Sequence, residues 1–231
     1  MLKLIKLEMK KFKMGGYVRS SLITNVIILG VICLISYVEN LEGAVVFEDY
    51  AMALQLIETI IRATYIIFAA VLISRLVINE YKNKSITVLF MYPINRKSLI
   101  IAKLLIVVIF TFVNIVAANI FVGGGFYLVD QFAQVVPDQL TLSGLGKHSA
   151  SVVMNALATS CMSLIPLYFG MRKFSGSTTI ISSIFIVLIV CQNMNGFTLN
   201  SIVFVPITLA VIGAIIAYLA IRNIENKDVI H

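Results

Sequence analysis

Six apolar runs, each long enough or nearly so to span a bilayer, follow one another along this chain with polar connections between them. A spanning helix needs about 20 predominantly apolar residues. In lipid every backbone N–H and C=O must be satisfied within the segment, so such runs are helices or they are nothing. The runs lie at about 22–38, 57–78, 99–129, 150–169, 178–194 and 202–221. With 60% hydrophobic residues and a mean hydropathy of +1.00, the chain is well above the roughly 45–50% apolar content of soluble domains. The expected fold is an all-α membrane protein, a single transmembrane domain over 1–231 with six transmembrane helices.

The basic residues give the orientation. If the amino terminus is inside and the spans alternate, the inner segments hold Lys3, Lys6, Lys10, Lys11, Lys13, Arg19, Arg75, Lys82, Lys84, Arg96, Lys97, Lys103, Arg172, Lys173, Arg222 and Lys227. Only Arg62 and Lys147 of the 18 basic residues fall outside, which is the asymmetry of the positive-inside rule. The expectation is a multi-pass protein of a cell membrane with both termini cytoplasmic. The net charge of +7 then reflects topology and contact with anionic headgroups of membrane lipids. It calls for no nucleic-acid partner.

Residues 1–20 form a leader. Leu2, Ile5, Met9 and Phe12 make one helical stripe and Lys3, Lys6, Lys10 and Lys13 its neighbour, the pattern of an amphipathic helix lying in the interface. The basic region is long and no small-residue cleavage site follows near Ser36, which argues against a signal peptide. Gly15-Gly16 is expected to be a flexible joint into the first span. Pro166 is expected to kink the fourth span. The loop from Asp130 to His148, with its Ser143-Gly144-Leu145-Gly146 cluster, and Asn193-Met194-Asn195-Gly196 read as turns. His231 follows a chain that could have ended at Ile230 and is read as a tag remnant.

Chemistry-bearing constellations are few. Cys33, Cys161 and Cys191 sit in apolar runs without metal-ligand spacing and read as inert thiols. The octet Thr141 to His148 resembles a phosphate loop but has Thr141 for the first Gly and His148 for the magnesium-binding hydroxyl. The chain is therefore expected to bind no nucleotide and no cofactor itself, and not to be an enzyme. Glu58 and Arg62 stand at i and i+4, either at the outer mouth of a pathway or as a pair at headgroup level. Asn114 and Asn119 either line an interior path or hydrogen-bond across helices, packing being the expected role. Gly123, Gly124 and Gly125 weaken a helix by roughly 1 kcal/mol each, making them a gate hinge or an end-of-span breaker. Ala210, Gly213, Ala214 and Ala217 give the sixth span a small-residue face for close packing or a protomer contact.

The longest basic connection, Glu80 to Lys103, has grammar of its own. Ser85 to Met91 reads as a short amphipathic helix with Ile86, Leu89 and Phe90 on one face. Tyr92-Pro93 ends it, because the residue before a proline is pushed out of the helical region. Asn95 can then cap a helix running through Arg96, Leu99 and Lys103. In this order Glu80, Lys82, Asn83, Lys84-Ser85, Leu89-Phe90, Pro93, Arg96 and Lys103 resemble the membrane subunit of an ABC-2 type transporter, a family of the type V exporter layout. Many members have a Gly where this chain has Asn83-Lys84. The similarity is nearest to short bacterial permeases tied to antimicrobial-peptide resistance or peptide export, the phenol-soluble modulin type among them.

That resemblance implies a permease paired with a second copy or a related subunit, as a homodimer or heterodimer. Each subunit would dock a separate cytoplasmic ABC ATPase, which binds ATP and magnesium. It makes the 79–98 loop, over Ser85 to Tyr92, a coupling helix, with Glu80, Leu89, Phe90, Pro93 and Arg96 shaping the contact. The cargo it implies is hydrophobic or amphipathic, a peptide or lipid-like molecule moved out of the cell. The rival reading is a membrane-embedded immunity or scaffold protein that binds peptides and transports nothing. A secondary transporter fits less well, since no acid or His sits at mid-membrane to couple protons.

Overall fold

The computed structural model describes residues 2–12, 14–42, 50–82, 96–133, 142–191, 193–194, 197–198 and 204–222. Helix α1 is Leu2–Lys11, α2 Gly15–Glu42, α3 Tyr50–Lys82, α4 Arg96–Ala133, α5 Leu142–Met162, α6 Ile165–Lys173, α7 Gly176–Val190 and α8 Phe204–Arg222. A two-residue antiparallel ladder, β1 Asn193–Met194 with β2 Phe197–Thr198, pairs Met194 with Phe197. The four segments Gly15–Val38, Tyr50–Lys82, Ser98–Gln131 and His148–Lys173 are long and apolar enough to cross a membrane.

Two of these helices are longer than a bilayer requires. At 1.5 Å per residue α3 is about 50 Å long and α4 about 57 Å, against a bilayer of ~40–45 Å with its headgroups. Their ends have room for polar chemistry. The exposure pattern says that lipid is the solvent. On α2 the buried side chains include Ser21, Asn25 and Ser36, while Leu22, Ile23, Val26 and Ile27 are each more than half exposed. A water-soluble helix would sort them the other way round.

Several boundaries differ from the expected ones, each for a local reason. Gly15-Gly16, expected as a joint, opens α2; the turn comes earlier, where the Met14 N–H donates to the Met9 carbonyl at 3.3 Å. No Cβ at either glycine would meet another atom, and a first turn tolerates glycine readily. The Ser143–Gly146 cluster, expected as a turn, is helical, because α5 starts at Leu142. The fourth apolar run breaks at Ser163–Leu164, ahead of the expected kink. Pro166 then occupies the first turn of α6, where its missing N–H costs nothing.

The contacts divide the chain into two compact units. The first contains Met1–Met14, Tyr65–Phe112 and Leu157–His231. Its core brings Ile66, Met162, Ile165, Ile186 and Val190 together, with Leu209 and Ile216 packed against them. The α6–α7 turn lies close on α3: a Cβ on Gly170 would press on Ile78 and Thr179, and one on Gly176 on Ser74. Phe174 caps α6 in the left-handed conformation, φ 46°, with its ring 6.1 Å from that of Tyr81. Gly213 of α8 lies against the main chain of Cys161, so this member of the small-residue face serves packing within the chain.

A Cβ at Gly213 would overlap the Cys161 carbonyl oxygen, which cannot rotate away. Gly213→Ala is therefore expected to destabilise by about 1–3 kcal/mol, as overpacking does. Gly30→Ala is its control, since a Cβ there meets nothing within 4 Å. It is expected to be neutral or slightly stabilising. Thermal unfolding in detergent measures both.

The second unit is Gly15–Thr64 with Val113–Ala156. Its helices are joined by polar contacts: Ser21 donates to Asn114, Tyr50 to Asp130, and Asn155 to Glu58.

Candidate functional site: a buried charge node and a buried ion pair

Lys103 enters α4 two turns after its start and is fully buried. A cation so placed needs partners, because a desolvated charge without them is prohibitively costly. Its Nζ donates to Glu80 Oε2 at 2.6 Å and to the Leu76 carbonyl at 3.0 Å, and it lies 3.2 Å from Glu8 Oε2. The Glu8 contact is ionic and off hydrogen-bond geometry, leaving Glu8 Oε2 without a hydrogen-bond donor among the described residues. Lys11 donates to the other oxygen of Glu80 at 2.7 Å and is itself half exposed. The Phe12 ring centroid is 5.0 Å from Lys103 Nζ and 5.2 Å from Lys11 Nζ. Two carboxylates and two ammonium groups thus close into a neutral set.

Local structure supplies each partner. Glu8, Lys11 and Phe12 are spaced i, i+3 and i+4, which puts them on one face at the end of the leader. Leu7 and Met9, to either side of that face, are exposed. Glu80 sits in the last turn of α3, just after a π-helical turn over Ser74–Ile78, where the Asn79 N–H reaches back to the Ser74 carbonyl. A π turn widens the ladder and displaces its carbonyls, and Lys103 uses one of them. The node therefore ties three pieces of chain: the leader, the end of α3 and the beginning of α4.

Of the expected coupling residues, Glu80 is in this node. Ser85, Leu89, Phe90, Tyr92 and Pro93 lie outside the described residues. Arg96 is the first residue of α4, with its side chain outside what is described. Glu8, Lys11 and the packing of Lys103 were not among the expected site residues. One signal was available, since Glu8 is the sole acid in the first 38 residues.

In the second unit Arg62 Nη2 donates to Glu58 Oε1 at 2.8 Å, and Asn155 Nδ2 donates to the same oxygen at 2.7 Å. Glu58, Arg62 and Asn155 are all buried. The pair is thus enclosed by neighbouring helices of its own unit. Asn114 accepts from Ser21, while Asn119 Nδ2 returns to the Ile115 carbonyl of its own helix at 2.9 Å. Helix α4 runs unbroken through Gly123, Gly124 and Gly125 to Ala133, so the triplet ends nothing. Gly125 instead admits Leu29: a Cβ there would stand 2.9 Å from Leu29 Cδ2. Among the described residues no group of three His, Cys, Asp or Glu is placed to hold a metal.

The family model described as "ABC-2 family transporter protein" matches residues 50–222. The chain is also 43% identical over 225 residues to "Uncharacterized protein YcbO" of Bacillus subtilis (strain 168), covering 97% of this chain and 99% of that protein. No solved structure matches. A match over three quarters of the chain, on helices that turn apolar side chains outward, places this protein in the membrane as a permease component of the ABC-2 transporter family.

Proposed function

We propose that the chain is the permease subunit of an ATP-driven exporter, working as a dimer with separate cytoplasmic ATPase subunits. Permeases of this family work with an ATPase partner. The observation that carries the reading is the Lys103 node. It fastens the leader to the two helices that flank residues 83–95, the basic island between α3 and α4. A push on that island reaches α3, α4 and α1 together, because their ends share one buried cation.

In this reading α7 and α8 complete six spans with the four long apolar segments, and both termini are cytoplasmic. Residues Ser85 to Tyr92 form the coupling helix, with Leu89, Phe90 and Pro93 in the ATPase contact and Glu80 and Arg96 orienting it. Glu58 and Arg62 are the charged groups of the route, Asn114 and Asn119 are packing residues of the helices around it, and Gly123, Gly124 and Gly125 form its flexing segment. The cargo is a hydrophobic or amphipathic peptide taken from the membrane.

The test is co-purification with a cytoplasmic ABC ATPase co-expressed with this chain, with and without alanine at Leu89, Phe90 and Arg96. The triple variant is expected to lose the complex and peptide export while keeping its thermal stability. Retention of both complex and export sinks the coupling assignment.

A further inference from the structure

Three helices of the first unit leave an elongated apolar crevice of about 530 Å³ between them. Phe169 of α6, Thr178, Ile181, Phe185 and Ile189 of α7, and Ile212 of α8 are among its walls. From Thr178 to Val190 the lining follows α7 for twelve residues, about 18 Å of rise. One leaflet of hydrocarbon is ~15 Å deep, half of a ~30 Å core. The crevice is therefore as long as an acyl chain is deep.

The crevice is open along one side, and about 530 Å³ over about 18 Å is room for a hydrocarbon chain lying along α7. At one end of the crevice the wall residue Phe169 is followed, at i+3 and i+4 on the same helix face, by Arg172 and Lys173. Both are exposed. Phe169, Tyr168 and Phe174 are also partly exposed around them, as aromatic residues at a membrane interface are.

We infer that this crevice is a binding site for one anionic phospholipid, its acyl chain along α7 between Phe169 and Ile212 and its phosphate at Arg172 and Lys173. The apolar crevice fixes the chain and the paired cations select the headgroup. The site stands apart from the proposed transport function and needs neither cargo nor ATPase.

The chain has no tryptophan, so one introduced indole reports its surroundings alone. Full-length protein carrying Phe185→Trp is reconstituted in phosphatidylcholine vesicles containing a minor fraction of brominated lipid. Brominated phosphatidylglycerol is expected to occupy the site about 30-fold more readily than brominated phosphatidylcholine, the preference two surface cations give. Val113→Trp, on an exposed position of α4, is expected to show little preference. Arg172→Gln with Lys173→Gln is expected to bring the Phe185→Trp preference down to within about twofold. Three results would overturn the inference: equal quenching by both lipids at Phe185→Trp, a preference that survives the double change, or an indole shielded from both lipids by a cross-linkable second copy.

Discussion

Lys103→Met is expected to lower the midpoint of thermal unfolding by roughly 6–12 °C, from a loss of about 3 kcal/mol on breaking a buried ion cluster in a chain of this size. Methionine keeps the unbranched apolar stem and removes the ammonium group, with its charge and its donors. Glu80 retains Lys11 at 2.7 Å, but Glu8 loses its cation while 5% exposed. The Leu76 carbonyl loses a donor as well. Most of the penalty is therefore the stranded Glu8 carboxylate, and Glu8→Gln added to Lys103→Met is expected to recover a large part of it. Limited trypsin digestion gives a second readout, with cleavage at Lys10 and Lys11 accelerating in Lys103→Met as the leader comes away. An unchanged midpoint and an unchanged digestion rate would mean that the node holds nothing.

Arg62→Met is the second large effect expected, again about 3 kcal/mol. It leaves the Glu58 carboxylate with Asn155 as a neutral donor in a site where Glu58 is 7% exposed. A neutral amide cannot replace the guanidinium that stood 2.8 Å away. Glu58→Gln with Arg62→Met removes both charges, and replacing a buried pair whole is often close to neutral. The double variant is thus expected to melt within a few degrees of the parent and above Arg62→Met alone. Additive losses would show that the two charges act through other neighbours and scarcely through each other.

How much of this was readable from residue order depends on the range of the interaction. The apolar runs give helices because their length and the bilayer's dryness leave no alternative, and Arg96 opens α4 where Asn95 and Pro93 placed a helix start. The i, i+4 pairing of Glu58 with Arg62 is a local fact and was legible. Its burial was not, since Asn155 comes from another helix 97 positions along. Glu8 shows the same limit. Among the lysines of α1 it reads as a charge on a polar face, and only its meeting with Lys103, in a distant helix, makes it structural. Gly15 and Gly144 suggest breaks or turns and instead sit in first turns, where the missing Cβ is harmless. Pro166 does interrupt the fourth apolar run, with the break falling two to three residues ahead of it.

The π turn in α3 bears on how far the Lys103 node can be altered. Of the three oxygen partners of Lys103 among the described residues, two belong to side chains that a single base change can remove. The third is the carbonyl of residue 76, part of the main chain, and no substitution of Leu76 deletes it. The widened ladder thus gives the cation a contact that is indifferent to sequence. Drift at positions 8 and 80 can weaken the grip on the leader, while α3 and α4 stay fastened through an atom every residue possesses.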